Sequence, residues 1–279
     1  MTSIGILHPG QMGISVVAAC IESGHQAFWC PQGRSDASRV RAEAHGLLAC
    51  DDLQVCTDTC DMLISVCPPS AAIAQAEAVA ATGFDGIYVD ANAVSPQSAE
   101  AIAVIFSQTD VRLVDAGIIG PPAHQPQTTR LYLSGEDAPG VLACFSGSKL
   151  EAIDLQAGVG AASALKMAYA GWTKGSGALL LSMYSVASSY GVEQALDAEW
   201  QLSLPQLPQR LRRTAEQNAP KAWRFVGEMH EIGKTLEQAG LPPEWFVAAA
   251  ETYARLQDFK NAEDVSLADV MQALVQERG

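Results

Sequence analysis

Ile4-Gly-Ile-Leu-His-Pro-Gly10-Gln-Met-Gly13 is the stretch on which the reading of this chain turns. The apolar run Ile4 to Leu7 enters a turn with two glycines. The segment Gln11 to Ser23 beyond it repeats apolar residues at three and four, the period of an amphipathic helix. Strand, tight turn and helix in that order form the opening unit of a dinucleotide-binding fold. There Gly10 lets the backbone approach a pyrophosphate, and the helix start at Gln11 and Met12 offers N–H groups to phosphate oxygens. Gly13 lets helix and strand pack closely. The usual first glycine is replaced by His8. Taken alone, a Gly-x-x-Gly stretch describes an ordinary structural turn equally well.

Working outward, short β-rich runs continue to alternate with Ala-rich amphipathic stretches. Strands are predicted at Gln26 to Cys30, Leu47 to Cys50, Met62 to Val66, Ile87 to Asp90, Arg112 to Asp115, Leu131 to Leu133 and near Leu150 to Leu155. Helices are predicted at Ser38 to Ala44, Ala71 to Ala80 and Pro96 to Phe106. This is the pattern of an α/β, Rossmann-type domain with a mostly parallel sheet. After Gly160 the strand signals stop. Ala161 to Tyr190 reads as one long apolar helix, with shorter amphipathic helices beyond it. The expected organisation is therefore a dinucleotide-binding domain over residues 1–160 and an all-α domain for substrate and dimerisation over residues 161–279. Lys166 and Lys174 interrupt the long helix, and its Gly, Ala and Ser content suits protein packing better than lipid.

The second strand delivers Gln32-Gly33-Arg34-Ser35 about twenty residues beyond Gly13. An NAD site usually has Asp or Glu there for the ribose 2′-hydroxyl. No acid stands within Cys30 to Ser35, and Arg34 and Ser35 suit a 2′-phosphate, which points to NADP. An exposed loop arginine is the plainer alternative. Ser65-Val-Cys-Pro-Pro69 and Asp90-Ala-Asn-Ala-Val-Ser-Pro96 follow the fourth and fifth strands and lie at the ligand-facing edge of such a sheet. Cys67, Pro68 and Asn92 join the candidate cofactor residues on that ground.

A net charge of −14 opposes phosphate-backbone binding as a main activity. Arg210, Arg212 and Arg213 read as a solvated helix face. The start of the chain shows no export signal, so a cytoplasmic location is expected. The seven cysteines form no zinc-type pattern with the five histidines, so no metal is expected and buried reduced thiols are the simplest reading.

In order along the chain, these motifs, with Gly158-Val-Gly-Ala-Ala-Ser-Ala-Leu-Lys166, resemble the β-hydroxyacid dehydrogenases, which include 3-hydroxyisobutyrate and 6-phosphogluconate dehydrogenases. The stretch Leu165 to Gly175 and the segment Ala222 to Met229 look like a small 6-phosphogluconate-dehydrogenase-like branch. The resemblance implies that Lys166 is the catalytic lysine and that Asn92 lies near nicotinamide and its ribose. It implies a substrate set of Asn92, Gly117, Ile119, Gly120, Tyr169, Thr173 and Lys174, and a homodimer closed by the helical half. Oxidising an alcohol needs a base for the hydroxyl proton, and a desolvated lysine in an apolar helical run can serve. A lysine snorkelling to the surface is the structural alternative.

Three positions depart from the family pattern. Ala170 stands where the family has an orienting Asn, leaving Tyr169, Thr173 or Lys174 to replace it. Ile119 stands where a serine helps to bind carboxylate. The family's Lys-Asp pair falls on Gly227 and Glu228. These changes point to a less polar substrate than phosphogluconate. The expected activity is NADP-dependent oxidation of a small 3-hydroxy acid or related alcohol. Imine reduction and non-catalytic NADP binding are the alternatives.

Overall fold

The computed structural model describes residues 1–275. Eight strands form one sheet: β1 (Ser3–Ile6), β2 (Gln26–Trp29), β3 (Leu48–Ala49), β4 (Met62–Ser65), β5 (Ile87–Asp90), β6 (Arg112–Ile119), β7 (Arg130–Ser134) and β8 (Glu151–Asp154). Their order is β3-β2-β1-β4-β5-β6-β7-β8, with every neighbouring pair parallel apart from β6 and β7. The helices among them are α1 (Gln11–Glu22), α2 (Asp36–Ala44), α3 (Leu53–Thr59), α4 (Ala72–Ala80), α5 (Pro96–Phe106) and α6 (Ala138–Ala143). The chain leaves β1 on one side for β2 and β3, then crosses to the other side for β4 and β5. The switch point therefore lies between β1 and β4, where an open α/β sheet leaves a crevice beyond its strand ends.

The sheet is buried on both faces, which is why its central strands read as unbroken apolar runs. Met62 and Ile64 pack in one core with Ile6, Val16 and Trp29, while Leu63 packs in the other with Tyr88, Ile102 and Phe106. The predicted strands and the four predicted helices of this half are present, and three features differ. Helices α3 and α6 were not expected; with 7 and 6 residues they are too short for a helical period to show. β3 is trimmed to two residues. β6 runs on to Ile119 because its second half gains an antiparallel partner, with Asp115 opposite Ser134 and Gly117 opposite Tyr132.

The chain divides into two compact units, Met1–Met167 and a second beginning at Ala168. The sequence puts the boundary at Gly160, but the first seven residues of α7 (Ala161–Ala170) stay with the sheet. Their N–H groups explain this: Ala162 donates to Ser134 Oγ at 3.0 Å and Ser163 to Asp115 Oδ2 at 3.0 Å.

The second unit is helical: α8 (Ser176–Ser189), α9 (Glu193–Ser203), α10 (Leu207–Asn218), α11 (Ala222–Gln238), α12 (Glu244–Ala254) and α13 (Leu267–Val275). The expected single helix from Ala161 to Tyr190 is interrupted by a π-helical turn, Gly171–Gly175. Packing accounts for it. A Cβ on Gly175 would stand 2.7 Å from the Phe246 ring, and the Tyr253 hydroxyl donates to the Lys174 carbonyl at 2.7 Å. Such a partner satisfies a carbonyl whose usual helical bond a π turn rearranges. Among the described residues no helix is long and apolar enough to cross a membrane, and no cluster of His, Cys, Asp or Glu is placed to hold a metal. All seven cysteines are free and buried.

Candidate cofactor and catalytic site

The glycine turn joins β1 to α1, with His8 at the place of the pattern's first glycine. Gly10 precedes α1 with extended backbone, its N–H donating to the His8 carbonyl at 2.8 Å, and no side chain caps the helix start. A Cβ on Gly13 would stand 2.2 Å from the His8 carbonyl oxygen, so only glycine lets helix and strand approach this closely. A Cβ on Gly10 would meet nothing within 4 Å. That open space, with uncapped N–H groups at the start of a 12-residue helix, is a cradle for an anion. Gln11 is exposed and Met12 half-buried beside it.

Beyond β2 the chain turns at Gly33, whose φ of +71° suits glycine, and reaches Arg34. Ser35 caps α2, accepting from the Ser38 N–H at 3.3 Å, and its hydroxyl lies 3.2 Å from that of Ser38. Arg41, one turn further along α2, donates to Ser38 Oγ and to the Pro9 carbonyl, both at 3.2 Å. The sequence reading missed Arg41. Its signal was the i, i+3 spacing from Ser35 through Ser38 to Arg41 on a helix that starts at the candidate phosphate loop. Arg34 Nε is buried without a hydrogen-bond partner, and so is His8 Nδ1. Two orphaned nitrogens beside an uncapped helix start fit the phosphates of a dinucleotide.

The loops after β4 and β5 are tied together by Asn92. Its Oδ1 accepts from the Cys67 N–H at 2.6 Å, and its Nδ2 donates to Ser65 Oγ at 3.1 Å and to Asp90 Oδ1. Asn92 is 2% exposed, so its amide braces these loops from beneath. Cys67 lies buried in the brace, and burial pushes its thiol up to about 11, so it stays neutral. Pro68 is exposed just beyond it. Asp90 is fully buried. Burial raises its carboxyl to about 7, with the Asp115 charge adding to the rise and hydrogen bonds from Asn92 opposing it.

Asp115, on β6, organises the start of α7. Its Oδ2 accepts from the N–H groups of Gly160 (2.9 Å) and Ser163 (3.0 Å) and from Ser134 Oγ (3.1 Å), while Oδ1 accepts from Ser163 Oγ at 2.6 Å. A carboxylate at a helix N-terminus satisfies donors the helix cannot and complements its dipole. Lys166 follows one turn later. Its Nζ donates to the Ile118 carbonyl at 2.7 Å, so an orienting bond comes from the main chain of β6. Gly117 permits the contact: a Cβ there would stand 2.7 Å from the Ala162 carbonyl oxygen and 3.0 Å from Lys166 Cβ. Ile119 is buried within the β6–β7 ladder, and Gly120, at a φ of +126°, is the exposed turn beyond it. The candidate residues of the first unit thus fall in three groups: the glycine turn with Arg34, the loops after β4 and β5 held by Asn92, and the α7 start with Lys166.

Residues 3–139 match the NAD binding domain of 6-phosphogluconate dehydrogenase, and residues 187–256 match a domain of unknown function, DUF1932. The fold is shared by a conserved protein of unknown function described as structurally similar to 3-hydroxyacid dehydrogenases (TM-score 0.69, 23% identity, 92% of this chain and 97% of that one). It is also shared by Mycobacterium tuberculosis 3-hydroxyisobutyrate dehydrogenase with L-serine (TM-score 0.68, 17% identity, 99% and 100%). Residues 3–139 belong to the family of NAD binding domains of 6-phosphogluconate dehydrogenase, and the chain as a whole shares the fold of these hydroxyacid dehydrogenases. A relative in sequence is an uncharacterised 28.5 kDa protein encoded in the 7S RNA 5′ region of Methanothermus fervidus, 32% identical over 165 residues. That match spans 58% of this chain and 62% of the relative's length.

Three candidates suggested by the β-hydroxyacid dehydrogenase pattern lie in the helical unit. Tyr169 is exposed, and Thr173 returns its hydroxyl to the Tyr169 carbonyl at 2.9 Å. Lys174, on the π turn, is ion-paired with Glu228 and lies 4.4 Å from the centre of the Phe225 ring. Glu228 therefore keeps a cation beside it even though Gly227 supplies none.

Proposed function

We propose that the chain is an NADP-dependent oxidoreductase that moves hydride between nicotinamide and a small 3-hydroxy acid or related alcohol, with Lys166 as its acid-base group. The observation that carries this reading is the held lysine: Nζ is 2.7 Å from the Ile118 carbonyl, on a helix whose start is anchored by Asp115. A general acid-base group must be aimed as well as present, and this backbone bond aims it.

Nicotinamide, when bound, supplies the hydride acceptor or donor. Lys166 takes the hydroxyl proton in oxidation and returns one to the carbonyl oxygen in reduction. The cradle at Gly10 to Gly13 binds the pyrophosphate. Arg34 and Ser35 hold the 2′-phosphate, with Arg41 fixing the turn through Pro9; the absence of an acid from Cys30 to Ser35 supports NADP over NAD. Asn92 acts through the loops it braces, keeping Cys67 and Pro68 in place against the cofactor. A buried Ile119 in place of a serine supports a substrate with modest polarity.

The working form is a homodimer. In the helical unit Leu179, Met183, Val186 and Tyr190 recur at alternating fours and threes along α8 and its end, and Met183, Val186 and Tyr190 are 48%, 52% and 80% exposed. An apolar stripe of that length on one helical face supports burial against a second copy. Titration with NADPH and NADH, followed by turnover of a panel of 3-hydroxy acids with NADP, tests the reading. Tighter NADH binding, or no turnover across the panel, counts against it.

A further inference from the structure

His8 departs most from a dinucleotide turn, standing at the usual first glycine. Its side chain follows β1 directly and is half-buried, and its Nδ1 is buried with no partner. Arg34 Nε is in the same condition. A buried nitrogen with no partner is uncommon and calls for an explanation, and two beside one helix start call for a shared one. Burial, and after it the charge of Arg34, holds the imidazole down to about 4, so His8 is neutral at neutral pH. The groups that bear on it are cationic or neutral. Arg34 comes from the loop after β2, Arg41 from α2 lies on the neighbouring Pro9 carbonyl, and Cys67 from the loop after β4 also feels the Arg34 charge. Among the described residues His8 is in no ion pair.

A phosphate supplies what this arrangement calls for, an acceptor with negative charge that two nitrogen donors can share. We propose that His8 is a ligand to a phosphate of the dinucleotide and binds it as imidazolium, so that cofactor binding takes up a proton. The proposal rests on the reading of this unit as a dinucleotide site. The proton comes from solvent and ends on the imidazole, and no other bond is made or broken. The phosphate charge offsets that of Arg34 and accepts a hydrogen bond from His8, so the imidazole's proton affinity rises on binding. Binding therefore tightens as pH falls through the bound-state pKa toward about 4. The slope reaches at most about tenfold per pH unit. Outside that window it is flat.

Isothermal titration calorimetry of the full chain with NADPH and with NADH, near neutrality's acid side in two buffers of different ionisation enthalpy, counts the protons. Wild type is expected to take up more protons than His8→Gln, and the acid-side tightening of Kd is expected to disappear in the variant. The subtraction removes the titration of the 2′-phosphate itself. Uptake with both nucleotides assigns His8 to the pyrophosphate, and uptake with NADPH alone assigns it to the 2′-phosphate; both support the proposal. His8→Gly, which puts back the residue usual at this turn, serves as the second variant if His8→Gln does not fold by circular dichroism. Equal buffer dependence in wild type and the folded variants overturns the proposal while leaving the cofactor site standing. No binding of either nucleotide to wild type overturns the cofactor reading, and this proposal with it.

Discussion

Asp115→Asn isolates the charge that anchors the α7 start. The substitution keeps the shape. If the amide oxygen takes the place of Oδ2, it still accepts from Gly160, Ser163 and Ser134, and the Ser163 hydroxyl reverses to accept from the new amide. What is lost is the charge assistance on four bonds, the reversed Ser163 bond included. A bond to a charged acceptor is worth about 1.5–3 kcal/mol against about 0.5–1.5 for a neutral one, so the gross loss is about 4 kcal/mol. Relief from burying a charge offsets part of it, leaving a net cost of about 1–3 kcal/mol. The cost also carries a pH signature. The Asp115 charge helps to hold Asp90 at about 7, so the variant lowers the Asp90 pKa and gives back stability where Asp90 ionises. Urea unfolding at about pH 5 and about pH 8 should show the larger loss at pH 5. An unchanged midpoint, or a loss equal at both pH values, refutes the reasoning.

Other outcomes follow from the same geometry. Asp90, with its folded pKa raised to about 7 against about 3.9 for a free side chain, contributes stability that is full at acid pH and is lost as pH rises through 7. Asp90→Asn should therefore gain on the order of 2–4 kcal/mol at about pH 8 relative to about pH 5, read by urea unfolding. A gain independent of pH contradicts this. Arg34→Ala should weaken NADPH by about 1.5–3 kcal/mol and leave NADH nearly unaffected, measured by nucleotide fluorescence. Arg41→Ala, which releases the Pro9 carbonyl, should weaken both nucleotides alike. Met183→Glu should turn a dimer into a monomer by light scattering at micromolar concentration, and a wild-type monomer there counts against the assembly.

The strands were legible because both faces of this sheet are buried, and the Gln11 to Ser23 helix because its period is long enough to register. Helices α3 and α6, of 7 and 6 residues, were not, for want of periods. The positions of Gly10, Gly13 and Arg34 in and beside the turns after β1 and β2 could be read because a loop between strand and helix has a known position in such a sheet. The support of Lys166 could not. Its acceptor is the carbonyl of Ile118, which any residue would offer, and Asp115 and Ser163 meet only once β6 and α7 are packed, 48 positions apart in sequence. Asn92 was picked out by its place, but its amide bonds to Cys67, Ser65 and Asp90 needed the structure. The π turn was hidden because Gly171 and Gly175 also suit a close-packed helix, and the Phe246 and Tyr253 contacts come from far along the chain.

The most direct test is reduction of NADP by a panel of 3-hydroxy acids, followed by nicotinamide absorbance in wild type and Lys166→Met side by side, with NADPH affinity measured on both. The account predicts turnover of at least one 3-hydroxy acid by wild type, and a kcat lower by about a hundredfold or more in Lys166→Met, as for loss of a general base. NADPH affinity should be nearly unchanged. Near-normal turnover in Lys166→Met, or loss of NADPH binding by the folded variant, contradicts the role given to this lysine.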